Sequence, residues 1–158
     1  MPKRITVIRI RGRVDVRKEI ADTLRMLRLS RLNHCVIIDD RKSYLEMLQK
    51  VKDIVTWGEL NEKATALLLS KRGRLVGDQR LSDAYVKEHT SYKSIEGFAK
   101  AFCSGKAELK DIPGLKPVFR LHPPKKGHKR RGIKNPVRLG GALGPRGSEI
   151  NNLIVKMA

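Results

Sequence analysis

Residues 5–13 read Ile-Thr-Val-Ile-Arg-Ile-Arg-Gly-Arg. Ile5 and Val7 share one face of an extended segment, with Arg9 in register, while Ile8 and Ile10 turn toward the other. Alternation of this kind belongs to a β-strand. Arg11-Gly12-Arg13 breaks the run, and Asp15 stands where a helix N-cap is wanted. Val16, Ile20, Leu24 and Leu27 then recur at helical spacing, with Arg17, Lys18, Asp22 and Arg25 on other faces. Ser30 to Asn33 connects to a second strand-like run, Cys35 to Ile38. Asp40 can cap a second helix, whose apolar side carries Tyr44, Leu45, Leu48 and Val51. Ile54 to Trp57 forms a third strand and Gly58 ends it. The order β-α-β-α-β over residues 1–58 predicts an α+β unit, with both helices on one face of a small sheet around a single aliphatic core.

Residues 59–158 differ in character and predict a helical extension. Leu60 to Lys71 reads as a helix with Leu60, Ala64, Leu67 and Leu68 on one side, stopped by Gly73. Leu75 to Asp78 is a turn. Ser82 caps a short helix through Tyr85 and Val86, and Ser94 caps a clearer one with Ile95, Phe98, Ala99 and Phe102 inward. Residues 113–147 contain no acidic residue and many Pro and Gly. Val118 to Leu121 has strand character, but the rest builds no core of its own, and such a loop stays disordered without a polyanion. Ser148 caps a last helix, whose Ile150, Leu153, Ile154 and Met157 dock on the body.

Charge narrows the function. Lys and Arg total 35 against 16 Asp and Glu, a formal net charge of +19, where about 2–8 in magnitude is usual for a small domain. Such an excess repels itself and makes sense beside a polyanion. No apolar run approaches the roughly 20 residues that span a bilayer. The opening Met1-Pro2-Lys3-Arg4 leads into a run too short for a signal-peptide core. Cys35 and Cys103 are far apart and form no disulfide framework, so a reducing, cytoplasmic setting is expected.

The strongest chemical feature is His122-Pro-Pro-Lys-Lys-Gly-His-Lys-Arg-Arg-Gly-Ile-Lys134. Its Lys125, Lys126, Lys129, Arg130, Arg131 and Lys134, with Arg138 and Arg146 beyond, suit phosphate contacts that release condensed counterions. Arg9, Arg11, Gly12 and Arg13 form a second basic cluster where the first strand meets the first helix, with amides of a helix N-terminus to assist. Arg28 and Arg31 extend that surface. An aromatic content of 4 % argues against a base-stacking platform and for recognition of folded RNA by shape. Catalysis has poor support. His34, His89, His122 and His128 lack metal spacing with the cysteines, capping explains Asp39 and Asp40 better than acid–base chemistry, and Gly140 to Gly144 lacks the Lys-Ser/Thr ending of a phosphate loop. No cofactor, metal, small-molecule substrate or membrane is expected. Two alternatives are a DNA-binding regulator, since Leu60 to Arg80 imitates a helix-turn-helix, and a basic protein with an acidic protein partner.

Several motifs resemble one family. Ile10-Arg-Gly-Arg13 after a strand, Leu27-Arg-Leu-Ser-Arg-Leu-Asn-His-Cys-Val36 and Met47-Leu-Gln-Lys-Val51 resemble the large-subunit ribosomal protein numbered thirty in bacteria and seven in eukaryotes. Arg72-Gly-Arg-Leu75, Gly77-Asp78 and His122-Pro-Pro124 resemble its longer archaeal and eukaryotic form. The lack of a basic arm before Met1 points to the archaeal version. Glu46 departs from the Gly usual in the bacterial form. The resemblance implies an antiparallel, somewhat ferredoxin-like sheet and assembly on large-subunit ribosomal RNA among neighbouring ribosomal proteins, with 5S ribosomal RNA nearby. It implies RNA contact by Gly12, Arg13, Arg31, Asn33 and His34, and by Arg72 and Arg74 of the long form.

Overall fold

The computed structural model describes residues 3–158; Met1 and Pro2, on which the readings of the chain's opening fall, lie outside the described residues. The expected order holds as β1 (Arg4–Arg9), α1 (Lys18–Met26), β2 (His34–Asp39), α2 (Lys42–Lys50) and β3 (Val55–Glu59). It continues with α3 (Glu62–Arg72), α4 (Asp83–His89), α5 (Ile95–Cys103), β4 (Val118–Arg120), β5 (Gly144–Pro145) and α6 (Ile150–Met157). The class is α+β. The sheet runs β4-β2-β1-β3-β5 and is antiparallel except for β5, which lies parallel to β3. Both edge strands come from the extension.

Those edges come with a second covered face. Ile5, Val7, Val36, Val55 and Trp57 pack on Leu24, Leu27, Leu48 and Val51 of the α1–α2 layer. On the other side Ile8, Ile10, Cys35 and Phe119 pack on Leu68, Leu69, Phe98, Phe102, Ile150 and Ile154. There are thus two cores, not the single one expected, because α3, α5 and α6 cover the sheet face that a three-strand unit leaves open. This is why β1 is buried from Ile5 through Arg9, Thr6 included.

Capping follows the sequence where Ser or Asn precedes a helix. Asn61 Oδ1 accepts from Ala64 N at 2.8 Å, Ser82 Oγ from Tyr85 N at 3.3 Å and Ser94 Oγ from Gly97 N at 3.2 Å. Asp15 does not cap: it takes a left-handed turn (φ 58°), and α1 starts after Arg17. Asp40 is likewise displaced by Arg41, and Ser148 by Glu149. Asp39 is drawn into ion pairs with Arg4 and Arg41 instead of any cap. Leu45 is exposed and Met47 takes its inward place on α2. On α3 Leu69 is buried and Leu67 only partly, because Ala64-Thr-Ala-Leu-Leu-Leu69 is apolar all round and carries no helical phase. Between α3 and α4 residues 73–82 form a hairpin-like excursion, longer than the 3–4-residue turn of a helix-turn-helix.

Gly58 does not end β3 but sits within it. A Cβ there would lie 2.1 Å from Gly147 O and 2.9 Å from Ile150 Cβ, so the missing side chain lets α6 lie on the strand. Asn151 staples the same junction. Its Nδ2 donates to Glu59 O at 3.0 Å and to Ser148 O at 2.9 Å, and its Oδ1 accepts from Asn61 N at 3.0 Å.

Candidate nucleic-acid interface

Strand pairing brings the basic segments together. Ile8 pairs with Cys35, Arg9 with Val55, His34 with Arg120 and Thr56 with Gly144. The exits of β1 and β4 and the entries of β2, β3 and β5 therefore share one end of the sheet. Arg9 to Arg13, Arg28 to His34, Arg120 to His122 and Arg146 all gather there. The opposite end carries Asp39, Asp40 and Glu59, and three cations there are partnered: Lys3 with Glu59 at 2.8 Å, and Arg4 and Arg41 with Asp39. Among the described residues no ion pair involves Arg11, Arg13, Arg28, Arg31, Arg72 or Arg74.

Sequence alone puts Arg9 against nucleic acid; the structure turns it inward. It is 4 % exposed, and its guanidinium donates to Arg11 O at 2.9 Å, Leu29 O at 2.7 Å and Gly12 O at 3.0 Å. Burial, with the nearby Arg13 charge, pushes its pKa down. Arg9 therefore holds the Arg11–Gly12 turn against the exit of α1. The helix end involved is the C-terminal one: α1 begins only at Lys18, so N-terminal amides do not contribute as expected. Arg11 is half-buried and donates to Asp53 O at 3.3 Å, while Gly12 and Arg13 stand in the open. A Cβ on Gly12 would meet nothing within 4 Å, which leaves room for another molecule's backbone.

Arg28 occupies an unusual position. Leu29 N donates to Leu24 O at 2.8 Å and Arg28 N to Arg25 O at 2.9 Å, a Schellman closure of α1. Its left-handed residue, normally Gly, is Arg28 with φ 62°. Arg28→Gly should therefore raise the stability of the free protein by about 0.5–1 kcal/mol and weaken RNA binding. Urea unfolding beside filter binding checks this pair of opposite signs, and equal affinity for both proteins would remove Arg28 from the interface.

Asn33 is also left-handed (φ 61°); its N–H donates to Arg9 O at 3.0 Å and its carbonyl accepts from Leu121 N at 3.1 Å. His34 is half-buried with Nδ1 unpartnered. Burial first, then the Arg120 and Arg31 charges, pushes its pKa down and favours the neutral ring.

The basic loop has a defined course. His122 N donates to Met157 O and Lys125 N to Lys156 O, both at 3.0 Å, and Lys129 Nζ reaches Glu149 at 2.8 Å, so the segment runs back along α6. Lys126 takes a left-handed turn position (φ 64°). Arg130 and Arg131 occupy the two corners of a turn closed by Gly132 N to Lys129 O at 2.8 Å. Lys134 and Arg138 point into solvent. Gly141 is pressed on Asn135, whose carbonyl would stand 2.0 Å from a Cβ. Arg146 is not free: it donates to Ala142 O at 3.0 Å and Thr56 Oγ1 at 3.3 Å, fastening β5, and burial pushes its pKa down. Sequence reasoning missed Arg80 and Arg120 as members of the surface. Only the pairing of β4 with β2 and of Arg74 with Arg80 brings them in.

Residues 5–55 match the family model described as ribosomal protein L30p/L7e. The large ribosomal subunit protein uL30 of Methanopyrus kandleri is 60 % identical over 94 % of this chain and 99 % of its own length. The chain belongs to the ribosomal protein L30p/L7e family. Its relatives named uL30 from Archaeoglobus fulgidus and Methanocella arvoryzae are 56 % and 52 % identical, each over 96 % of this chain and 97 % of its own length. The segment matched by the L30p/L7e model is the β-α-β-α-β unit up to the first residue of β3, and the archaeal relatives align through the extension as well.

Proposed function

We propose that this L30p/L7e-family chain is a structural, non-catalytic constituent of the large ribosomal subunit that binds ribosomal RNA through Lys and Arg contacts to the phosphate backbone. One observation carries the reading: the arginines at one end of the sheet, Arg11, Arg13, Arg28 and Arg31, have no carboxylate partner, whereas Lys3, Arg4 and Arg41 at the other end are paired within the chain. Arg11, Gly12, Arg13, Arg28, Arg31, Asn33 and His34 form the core's share of the interface. Arg72, Arg74, Lys125, Lys126, Lys129, Arg130, Arg131, Lys134 and Arg138 form the extension's share. Arg9 and Arg146 act from beneath, as positioning residues. The partners are large-subunit ribosomal RNA, with 5S ribosomal RNA nearby, and neighbouring ribosomal proteins in the cytoplasm. Among the described residues no helix is long and apolar enough to cross a membrane, and no group of His, Cys, Asp and Glu could hold a metal ion.

The corner arginines give the direct test. Replacing Arg130 and Arg131 together by Ala should weaken RNA binding and flatten the log–log salt slope by roughly 1–2. An unchanged slope and affinity would remove the loop from the interface. At the level of the cell, the protein should sediment with the large subunit on a sucrose gradient and be released by ribonuclease or high salt. Sedimentation at the top of the gradient before any treatment would refute the ribosomal assignment.

A further inference from the structure

Behind α3 the chain doubles back on itself. Leu81 N donates to Gly73 O at 3.1 Å and Leu75 N to Gln79 O at 2.8 Å. Arg74 and Arg80, bridged between these bonds, therefore face each other at a position that makes no hydrogen bonds of its own. At such a position the Cα atoms stand about 4.5 Å apart and both side chains leave on the same face. Like charges placed directly opposite destabilise the pairing. The one carboxylate within the hairpin, Asp78, pairs instead with Lys116 at 3.4 Å.

A third arginine adds to this excess. Arg72, at the end of α3, donates through Nη2 to His122 Nε2, and its Nε is buried with no partner. Burial first, then the charges of Arg74 and Arg80, pushes its pKa down. The C-terminal dipole of α3 offsets part of one positive charge near Arg72, and nothing comparable serves Arg74 and Arg80. An anion held on the face that Arg74 and Arg80 share would offset the positive charge of both and of the neighbouring Arg72. A phosphate presents more acceptor oxygens than a carboxylate and suits forked donors converging from several directions.

We infer that Arg72, Arg74 and Arg80, with His122 orienting Arg72, form a discrete phosphate site, filled by a backbone phosphate of an RNA strand. The inference rests on the RNA-binding reading above and adds to it a recognition residue, Arg80, and a place. The site is continuous with the core's interface, since Leu121 N donates to Asn33 O and His122 follows directly. A strand lying across Arg31 and Asn33 thus reaches the hairpin without leaving the surface.

Arg80→Glu separates this inference from its alternatives, because it gives Arg74 a cross-strand partner while removing the site. The variant should unfold at a higher Tm than the wild type, yet bind large-subunit ribosomal RNA about tenfold more weakly, with a log–log salt slope shallower by about 1. Inorganic phosphate, compared with chloride at equal ionic strength, should raise the wild-type Tm and leave that of the variant unmoved. If RNA affinity and slope are the same for both proteins, the site does not serve RNA and the inference falls. A phosphate shift in the wild type alone would then mark a site for free phosphate. If the wild type binds no RNA, the proposed function fails, and phosphate shifts of equal size, or none, would dismiss the site as well.

Discussion

Gly58→Ala is expected to cost about 3 kcal/mol or more. The added methyl would stand 2.1 Å from Gly147 O, a backbone atom, and 2.9 Å from Ile150. Neither neighbour can swing aside, because the 3-10 turn Gly147–Glu149 runs straight into α6 and Asn151 fixes that turn to Glu59. Relief requires lifting α6 off the sheet. That exposes Ile150, Leu153, Ile154 and Met157, all buried in the wild type. For a chain of this size the loss corresponds to a drop in Tm of about 6–12 °C, read by circular dichroism. A change of under about 1 kcal/mol would mean that α6 does not lie on β3 as described.

Arg9→Met should be nearly as damaging, at about 3 kcal/mol, and for a different reason. The substitution keeps much of the volume but deprives the carbonyls of Leu29, Arg11 and Gly12 of their donor. Arg9→Lys should recover little, since one ammonium cannot reproduce the three directions of the fork. The exposed Arg13 is the control. Arg13→Ala should change stability by no more than about 0.5 kcal/mol and still weaken RNA binding. Guanidinium chloride unfolding and filter binding on the two variants separate positioning from contact. Comparable stability losses in both would refute the distinction.

The contrast between Arg9 and Arg13 shows what was legible in the sequence. Charge and the acid-free segment identify the surface, because net charge survives any arrangement of the chain. The β-α-β-α-β order is likewise written in local periodicity. Which arginine turns inward is not: Arg9 shares its face with Ile5 and Val7, a placement the alternation does give, but the shortest of its three hydrogen bonds goes to Leu29, twenty residues away. Gly58 illustrates a second limit. A glycine after Ile54-Val-Thr-Trp57 reads as a strand end, and its real role depends on Gly147 and Ile150, far along the chain. The caps split by position. Ser82, Ser94 and Asn61 perform as their residue types suggest, whereas Asp15, Asp40 and Ser148 each lie one or more positions outside the true boundary. The two cores escape notice for a related reason, since α3 lacks a phase that would show which neighbour it faces.

The staple at Asn151 joins residues 92 positions apart, and that separation has a meaning in time. At roughly 5–20 residues per second of synthesis, roughly 5–20 s pass between the making of Glu59 and of its partner. Until the end of that interval the second face lacks α6 and the β3 edge lacks β5, and incomplete faces and bare edges promote association with other unfinished chains. The same long basic stretch that follows Pro113 is translated before the closing helix. A polyanion could therefore meet the chain while its last seam is still open, and the order of docking and closure becomes a matter of relative rates.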